Sequence, residues 1–317
     1  MCLTKEEEAS IQNSDWMSRL PPELHTVPLY NLAIPGSHDS MSYDLDVNSS
    51  IIEPDRLKRF SGIYCLRKIV RRWAATQDAA IAAQLDAGVR YFDLRIARKP
   101  NDPNPTRLYF YHGLYTRTDV ETGLKEIHDW AKEHPKEILI LSLSHFEGFD
   151  PEIRAQLHTH LINFIKTLFR NIIVNRSGAP TLKSCWDQGR NVIVSYDYPA
   201  NQHPEIWGKI IYFYGNTMHP AKVESKLCHV LEKERPSKRF FVCGLNLTLP
   251  SDAKVLVYIL RLFDSLGGVV LRSLPKLLAW LKKQSEKTAV NIVASDMVTH
   301  QDFVSTVIDI NLKHVTG

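Results

Sequence analysis

Short apolar runs alternate with amphipathic stretches along nearly the whole chain. Runs rich in branched and aromatic side chains predict strands at 30–34, 89–96, 108–111, 137–143, 191–195, 210–214, 239–247 and 290–294. Between them, helical periodicity predicts segments at 77–87, 120–134, 151–169, 253–265, 274–284 and 302–312. The most apolar region, 255–281, is interrupted by Arg261, Asp264, Arg272 and the Gly267-Gly268 pair. It therefore reads as two amphipathic helices rather than a membrane span. Strands alternating with helices imply parallel pairing by right-handed crossovers, and close to eight such units the usual solution is a closed ring. The expected fold is α/β, a single (β/α)8 TIM-type barrel, with distortion or incomplete closure allowed for. Neither charge nor composition changes sharply anywhere, so residues 1–317 read as one domain.

A barrel makes a demand on the sequence: functional side chains should stand just past the carboxyl ends of the strands. His38 and Asp39 follow the first predicted strand, Asp93 and Arg95 end the second, and His112 follows the third. His145 and Glu147 follow the fourth, Tyr196 and Asp197 the fifth, and Tyr214 and Asn216 the sixth. Asn246 and Asp296 close the last two. A single histidine in a loop is ordinary surface chemistry; this succession would converge on one mouth.

Composition narrows the partners only a little. A net charge of +4 suits an anionic ligand but is far from a nucleic-acid footprint. The five cysteines are scattered without zinc spacing. The acidic N-terminal stretch MCLTKEEEAS does not read as a secretory signal, so a cytoplasmic protein, peripheral to membranes, is expected. Cys2 is a candidate for acylation and no more. A basic stretch with apolar interleaving, from Arg56 through Trp73, could rest on an anionic leaflet. It reads equally well as a solvated helix packed on the barrel. The segments around Trp186 and Trp207 read as core or loop anchors.

The candidate residues form an acid–base set built around an anion. Imidazole titrates near neutrality, so one ring can accept a proton while another donates one. Arg95 keeps its charge, and its planar fork matches two phosphate oxygens. Displacement at a phosphodiester fits this set. Acyl transfer fits less well, without a GxSxG motif, as does hydride transfer, without GxGxxG.

The segments IPGSHDS, GVRYFDLRI and YHGLYT, in that order, resemble the X region of phosphatidylinositol-specific phospholipases C. With DWMSRLP and NIVASD, they make the chain most similar to the animal X-domain-containing phospholipase C-like proteins, over about residues 16–314. The resemblance implies His38 as general base, oriented by Asp296, and His112 as general acid, paired with Asp39. Arg95 would contact the phosphoryl oxygens, held by Asp93. In calcium-dependent relatives the first histidine is followed by Asn, and an acid occupies the position of Arg95. Here Asp39 and Arg95 match the bacterial metal-independent pattern, so no metal or other cofactor is expected. The implied substrate is phosphatidylinositol or a related glycerophosphodiester, cleaved through a cyclic inositol phosphate at a transient anionic membrane surface. For the ring, Asp197, Tyr196 and Tyr214 are candidates, with His145 a pocket or structural residue. An acidic rim lacking Lys or Arg would favour the unphosphorylated ring. The competing readings are a catalytically weak lipid- or inositol-phosphate-binding barrel and a metal-dependent glycerophosphodiester phosphodiesterase.

Overall fold

The computed structural model describes residues 13–176, 178–199, 203–250, 255–261 and 264–313. Cys2 and part of the predicted helix at 253–265 lie outside them. The strands are β1 (Ile34–Ser37), β2 (Tyr91–Arg98), β3 (Leu108–His112), β4 (Leu114–Asp119), β5 (Leu139–Glu147), β6 (Val192–Tyr196), β7 (Ile206–Trp207), β8 (Ile211–Tyr214), β9 (Phe241–Gly244) and β10 (Ile292–Ser295). The helices are α1 (Asp55–Lys58), α2 (Tyr64–Ala74), α3 (Ile81–Asp86), α4 (Val120–Glu133), α5 (Arg154–Leu168), α6 (Leu182–Asp187), α7 (Pro220–Lys233), α8 (Val255–Ile259), α9 (Leu266–Ser285) and α10 (Phe303–Lys313).

Eight strands run parallel in the order β7-β6-β5-β2-β1-β10-β9-β8. Among the described residues no pairing joins β7 to β8, so the barrel is curled but open at that seam. The seam has a covalent cause. Only residues 208–210 link β7 to β8, too few for the crossover that two neighbouring parallel strands require. The membership of the ring also differs from the sequence reading. The predicted third strand forms β3, which pairs antiparallel with β2 and with β4 as a hairpin outside the ring. The two-residue β7, too short to give a periodicity, takes its place.

Pro35-Gly36, a turn-forming pair just past the predicted 30–34 strand, instead lies inside β1, which starts at Ile34. A side-chain carbon at Gly36 would come within 2.9 Å of the Tyr91 ring and 3.0 Å of Ile292. Glycine thus lets Tyr91 pack across β1, a requirement of the barrel interior that overrides the turn signal. Gly267-Gly268 likewise fall within the first turn of α9, capped by the Ser265 hydroxyl, with the break ahead of them. The core is almost wholly aliphatic and aromatic, with Ile34, Phe92, Leu141, Val194, Val242 and Ile292 all buried.

Candidate active site

Strand periodicity builds the site. On a barrel strand alternate residues face inward, and Tyr91, Asp93 and Arg95 of β2 line one cleft. Ser142 and Ser144 of β5, Ser195 and Asp197 at β6, and Tyr212 and Tyr214 of β8 continue it in the same phase. The serines are small, which leaves room for a cavity of about 790 Å³ at the carboxyl ends of the strands.

The same periodicity corrects one candidate. Tyr196 is out of phase with Ser195 and Asp197, faces α5 and is 1% exposed. Its hydroxyl lies 2.9 Å from His158 Nδ1 and its ring rests on Phe146, so it does not reach the cleft. His145 is out of phase with Ser144 in the same way, yet it lines the cleft. Its φ of +55° breaks the alternation. Burial, then Arg95, pushes its ring below the ordinary imidazole pKa.

At the end of β1, His38 and Asp39 are buried at 7% and 3% exposure. The His38 carbonyl accepts from Gln77 Nε2 and Thr76 Oγ1, both at 3.0 Å, and Gln77 also donates to the Ser295 carbonyl. These bonds tie the end of β1 to the end of β10, where Asp296 sits. His38 Nδ1 donates to Asp296 Oδ1 at 2.7 Å, which assigns the free lone pair to Nε2. Nε2 faces Arg95 Nη2 at 3.0 Å and Asp39 Oδ2 at 3.1 Å. Asp39 turns back into the site on a left-handed φ of +44°.

His112 ends β3, so the hairpin outside the ring delivers it. Its Nδ1 donates to the Ala74 carbonyl at the end of α2, 2.6 Å away, and its Nε2 lies 3.3 Å from Asp39 Oδ2. Asp39 therefore stands between both histidines instead of serving His112 alone. Arg95 is held more closely by Asp39, at 2.6 Å from Nε to Oδ1, than by Asp93, at 3.5 Å.

Electrostatics follow from these contacts. Burial opposes charging His38, but Asp39 and Asp296 outweigh it and hold the ring above its ordinary pKa of 6.5. Burial would raise Asp39, but Arg95, then His112 and His38, hold it below the usual carboxylate value. Burial pushes Asp296 up, against the pull of His38.

His38, Asp39 and Asp93 bring ligand atoms within 4.8 Å of one another, the one such metal-binding grouping among the described residues. Arg95 reaches into the same grouping, close to all three. A divalent cation there would face a fixed positive charge, so the donor set does not fit one while Arg95 is in place.

Sequence reasoning missed several cleft residues. Lys209 pairs with Asp197 at 2.6 Å and lines the cleft, so the rim is not purely acidic and the preference against a phosphorylated ring loses its basis. Lys209 follows the carboxyl end of β7, the strand too short to be predicted. Tyr212 was passed over for Tyr214, although period-2 alternation puts both on one face. Its ring stands 5.9 Å from that of His38, and its hydroxyl donates to Asn246. Glu53 lines the cleft opposite Arg95 and carried no sequence signal.

Comparison with known proteins bears on the family and the fold. The family model described as PI-PLC X matches residues 70–250, a span that contains Asp93, Arg95 and His112. PI-PLC X domain-containing protein 1 of Homo sapiens is 39% identical over 311 residues, covering 95% of this chain and 93% of that protein. PI-PLC X domain-containing protein 3 of Mus musculus is 35% identical over 308 residues, covering 94% of this chain and 93% of that one. Among solved structures, a phosphatidylinositol-specific phospholipase C of S. aureus superposes with a TM-score of 0.65 at 19% identity. That match covers 95% of this chain and 99% of the other. The corresponding protein of Listeria monocytogenes gives 0.64 at 18% identity, over 94% and 98%. At that identity the likeness is one of fold. On the family model and the extent of the animal matches, the chain belongs to the PI-PLC X domain-containing proteins.

Proposed function

We propose that the protein is a phosphodiesterase that cleaves the glycerol–phosphate bond of phosphatidylinositol or a related glycerophosphodiester lipid without a metal. The observation that carries this reading is the shared Asp39: one buried carboxylate within 3.3 Å of two imidazoles and 2.6 Å of a guanidinium. Recognition alone would not need a matched acid and base.

In the first step His38 Nε2 takes the proton of the inositol 2-hydroxyl as that oxygen bonds to phosphorus. Asp296 holds the ring and stabilises the imidazolium that forms. The bond from phosphorus to the glycerol oxygen breaks, and His112 Nε2 delivers a proton to the departing oxygen. The carbonyl of Ala74 accepts from His112 Nδ1 and so fixes the ring with Nε2 turned to the site beside Asp39. Arg95 swings its fork from Asp39 to the phosphoryl oxygens, where the negative charge gathers. The product is a cyclic phosphate, and water reopens it with the two histidines in exchanged roles.

Membrane approach is assigned to the rim formed by α1, α2 and α8. Phe60, Ile63 and Tyr64 are exposed there, with Arg59 4.7 Å over the Phe60 ring and Lys68 4.6 Å over that of Tyr64. Val257 and Leu260 extend the apolar edge from α8, which meets α2 through Tyr258 and Trp73. No helix among the described residues is long and apolar enough to cross a membrane.

The test is phosphatidylinositol turnover by purified protein in EDTA, compared with His38→Ala and His112→Ala. Activity that survives chelation and is lost in either variant is expected. Lipid binding without turnover would instead support a recognition protein, and loss on chelation a metal enzyme.

A further inference from the structure

The cleft has two chemically different halves, and the acid–base pair stands on their border. The half toward β5, β6 and β8 is polar: Ser142, Ser144, Ser195, Asp197, Lys209 and Tyr214 line it. The half toward α2 and the segment after β9 is apolar, lined by Leu57, Val70, Trp73, Leu247, Val255 and Leu266. All six of these side chains are buried. His112 belongs to the apolar half. Its Nδ1 bonds to Ala74, and the next residue, Gly113, packs so closely that an added carbon would lie 2.9 Å from Ala74 and 3.2 Å from Val70.

That placement determines which part of a phosphodiester meets which wall. If His112 protonates the leaving oxygen, the leaving alcohol occupies the space against Val70, Trp73 and Ala74. A hydroxylated ring, on the opposite side of phosphorus, meets the serines, Asp197 and Lys209. A cavity of about 790 Å³ also exceeds the need of a sugar phosphate, in a class of sites that ranges over roughly 300–1,000 Å³. We infer that the apolar half is a chain-binding subsite, which takes the first methylenes of the aliphatic chain borne by the leaving alcohol. Thr248 lines the same half with a buried hydroxyl that has no hydrogen-bond partner among the described residues. It is placed to meet the ester or ether oxygen where the chain joins glycerol.

The consequence is selection by chain length in the monomeric state, away from any lipid surface. The inference rests on the phosphodiesterase reading for its polarity, but binding tests it without catalysis. Isothermal titration of the full chain with 1-acylglycerols of two to eight acyl carbons, each below its micelle concentration, reads the subsite directly. Affinity is expected to rise about fourfold for each methylene that enters the apolar half, then level off. Val70→Phe, which narrows the compartment, should bring the plateau to a shorter chain, and Val70→Ala should move it to a longer one. Thermal melts of both variants report whether the fold is kept. In parallel, kcat/KM on the matching monoacyl glycerophosphoinositols should follow the same slope and plateau.

Turnover of that series with no dependence on chain length would overturn the subsite while leaving the phosphodiesterase reading intact. Chain-length-dependent binding without turnover would keep the subsite and refute the reading. A plateau unmoved in folded Val70 variants would overturn the placement.

Discussion

Two buried arginine–carboxylate pairs stand at opposite ends of the same stretch of β2, and they are built in opposite ways. Just ahead of the strand, Arg90 and Glu137 are both fully buried, joined at 2.9 Å from Nε and 2.8 Å from Nη2. Arg90 also donates to the carbonyls of Leu85, Val89 and Ser14, and Glu137 accepts from the backbone of Met17 and Ser18. Every face of that pair is occupied. At the other end Arg95 lies 2.6 Å from Asp39, yet neither Asp39 oxygen nor Arg95 Nε makes an aligned hydrogen bond. The Arg95 side chain is 19% exposed to the cleft. A saturated pair fastens the chain; an under-satisfied one keeps donors and charge for a ligand.

The comparison breaks most visibly on stability. Glu137→Gln leaves a buried guanidinium without its counter-charge and should cost about 3–5 kcal/mol in urea unfolding. Arg95→Ala leaves Asp39 still flanked by two imidazoles and should cost less stability than Glu137→Gln, while turnover falls about 10²–10³-fold. Equal losses of stability in the two variants would erase the distinction between fastening and function.

A second contrast lies in pH. His38 is the proposed base, and its raised pKa places the acid limb of kcat/KM above the ordinary imidazole value of 6.5. Asp39→Asn removes one of the two carboxylates that hold the His38 ring up, so the limb should move to lower pH as activity falls. The same groups act on stability with opposite signs. His38, raised in the fold, contributes stability that is complete below 6.5 and is lost as pH climbs through the folded value. Asp39, lowered in the fold, contributes stability present above its ordinary 3.8 and lost as pH falls through the folded value. A limb unmoved in Asp39→Asn would remove Asp39 from the tuning of His38.

The smallest effect belongs to the exposed bridge between Lys58 of α1 and Glu147, 3.4 Å apart. Lys58→Ala should change stability by less than about 1 kcal/mol, read by the same unfolding curves.

Much of this arrangement was legible in the sequence because period-2 strands announce their own ends. Asp93 and Arg95 share a face by spacing alone, and the alternation of β2 and β5 was long enough to read. The hairpin was not legible. The run 108–111 is as apolar as a ring strand, and only its antiparallel pairing separates the two. β7 has two residues and gives no periodicity at all. At the site, His38 and Asp39 adjoin in sequence, but a positive φ rather than adjacency brings Asp39 to both rings. Tyr196 misled because a strand-end position does not say which face a side chain takes. The phase set by Ser195 contained that answer. Lys209 was hidden along with β7, whose carboxyl end it follows.

The division of labour between the two histidines is the central claim, and leaving-group chemistry tests it directly. p-Nitrophenolate leaves an aryl phosphodiester of inositol without a proton, whereas the glycerol oxygen needs one to leave. Rates of His38→Ala and His112→Ala on both substrates separate base from acid. His112→Ala should lose about 10²–10⁴-fold on the glycerol diester and be largely restored on the aryl ester, while His38→Ala stays slow on both. Restoration of His38→Ala instead, or equal losses on both substrates in both variants, would contradict the assigned roles.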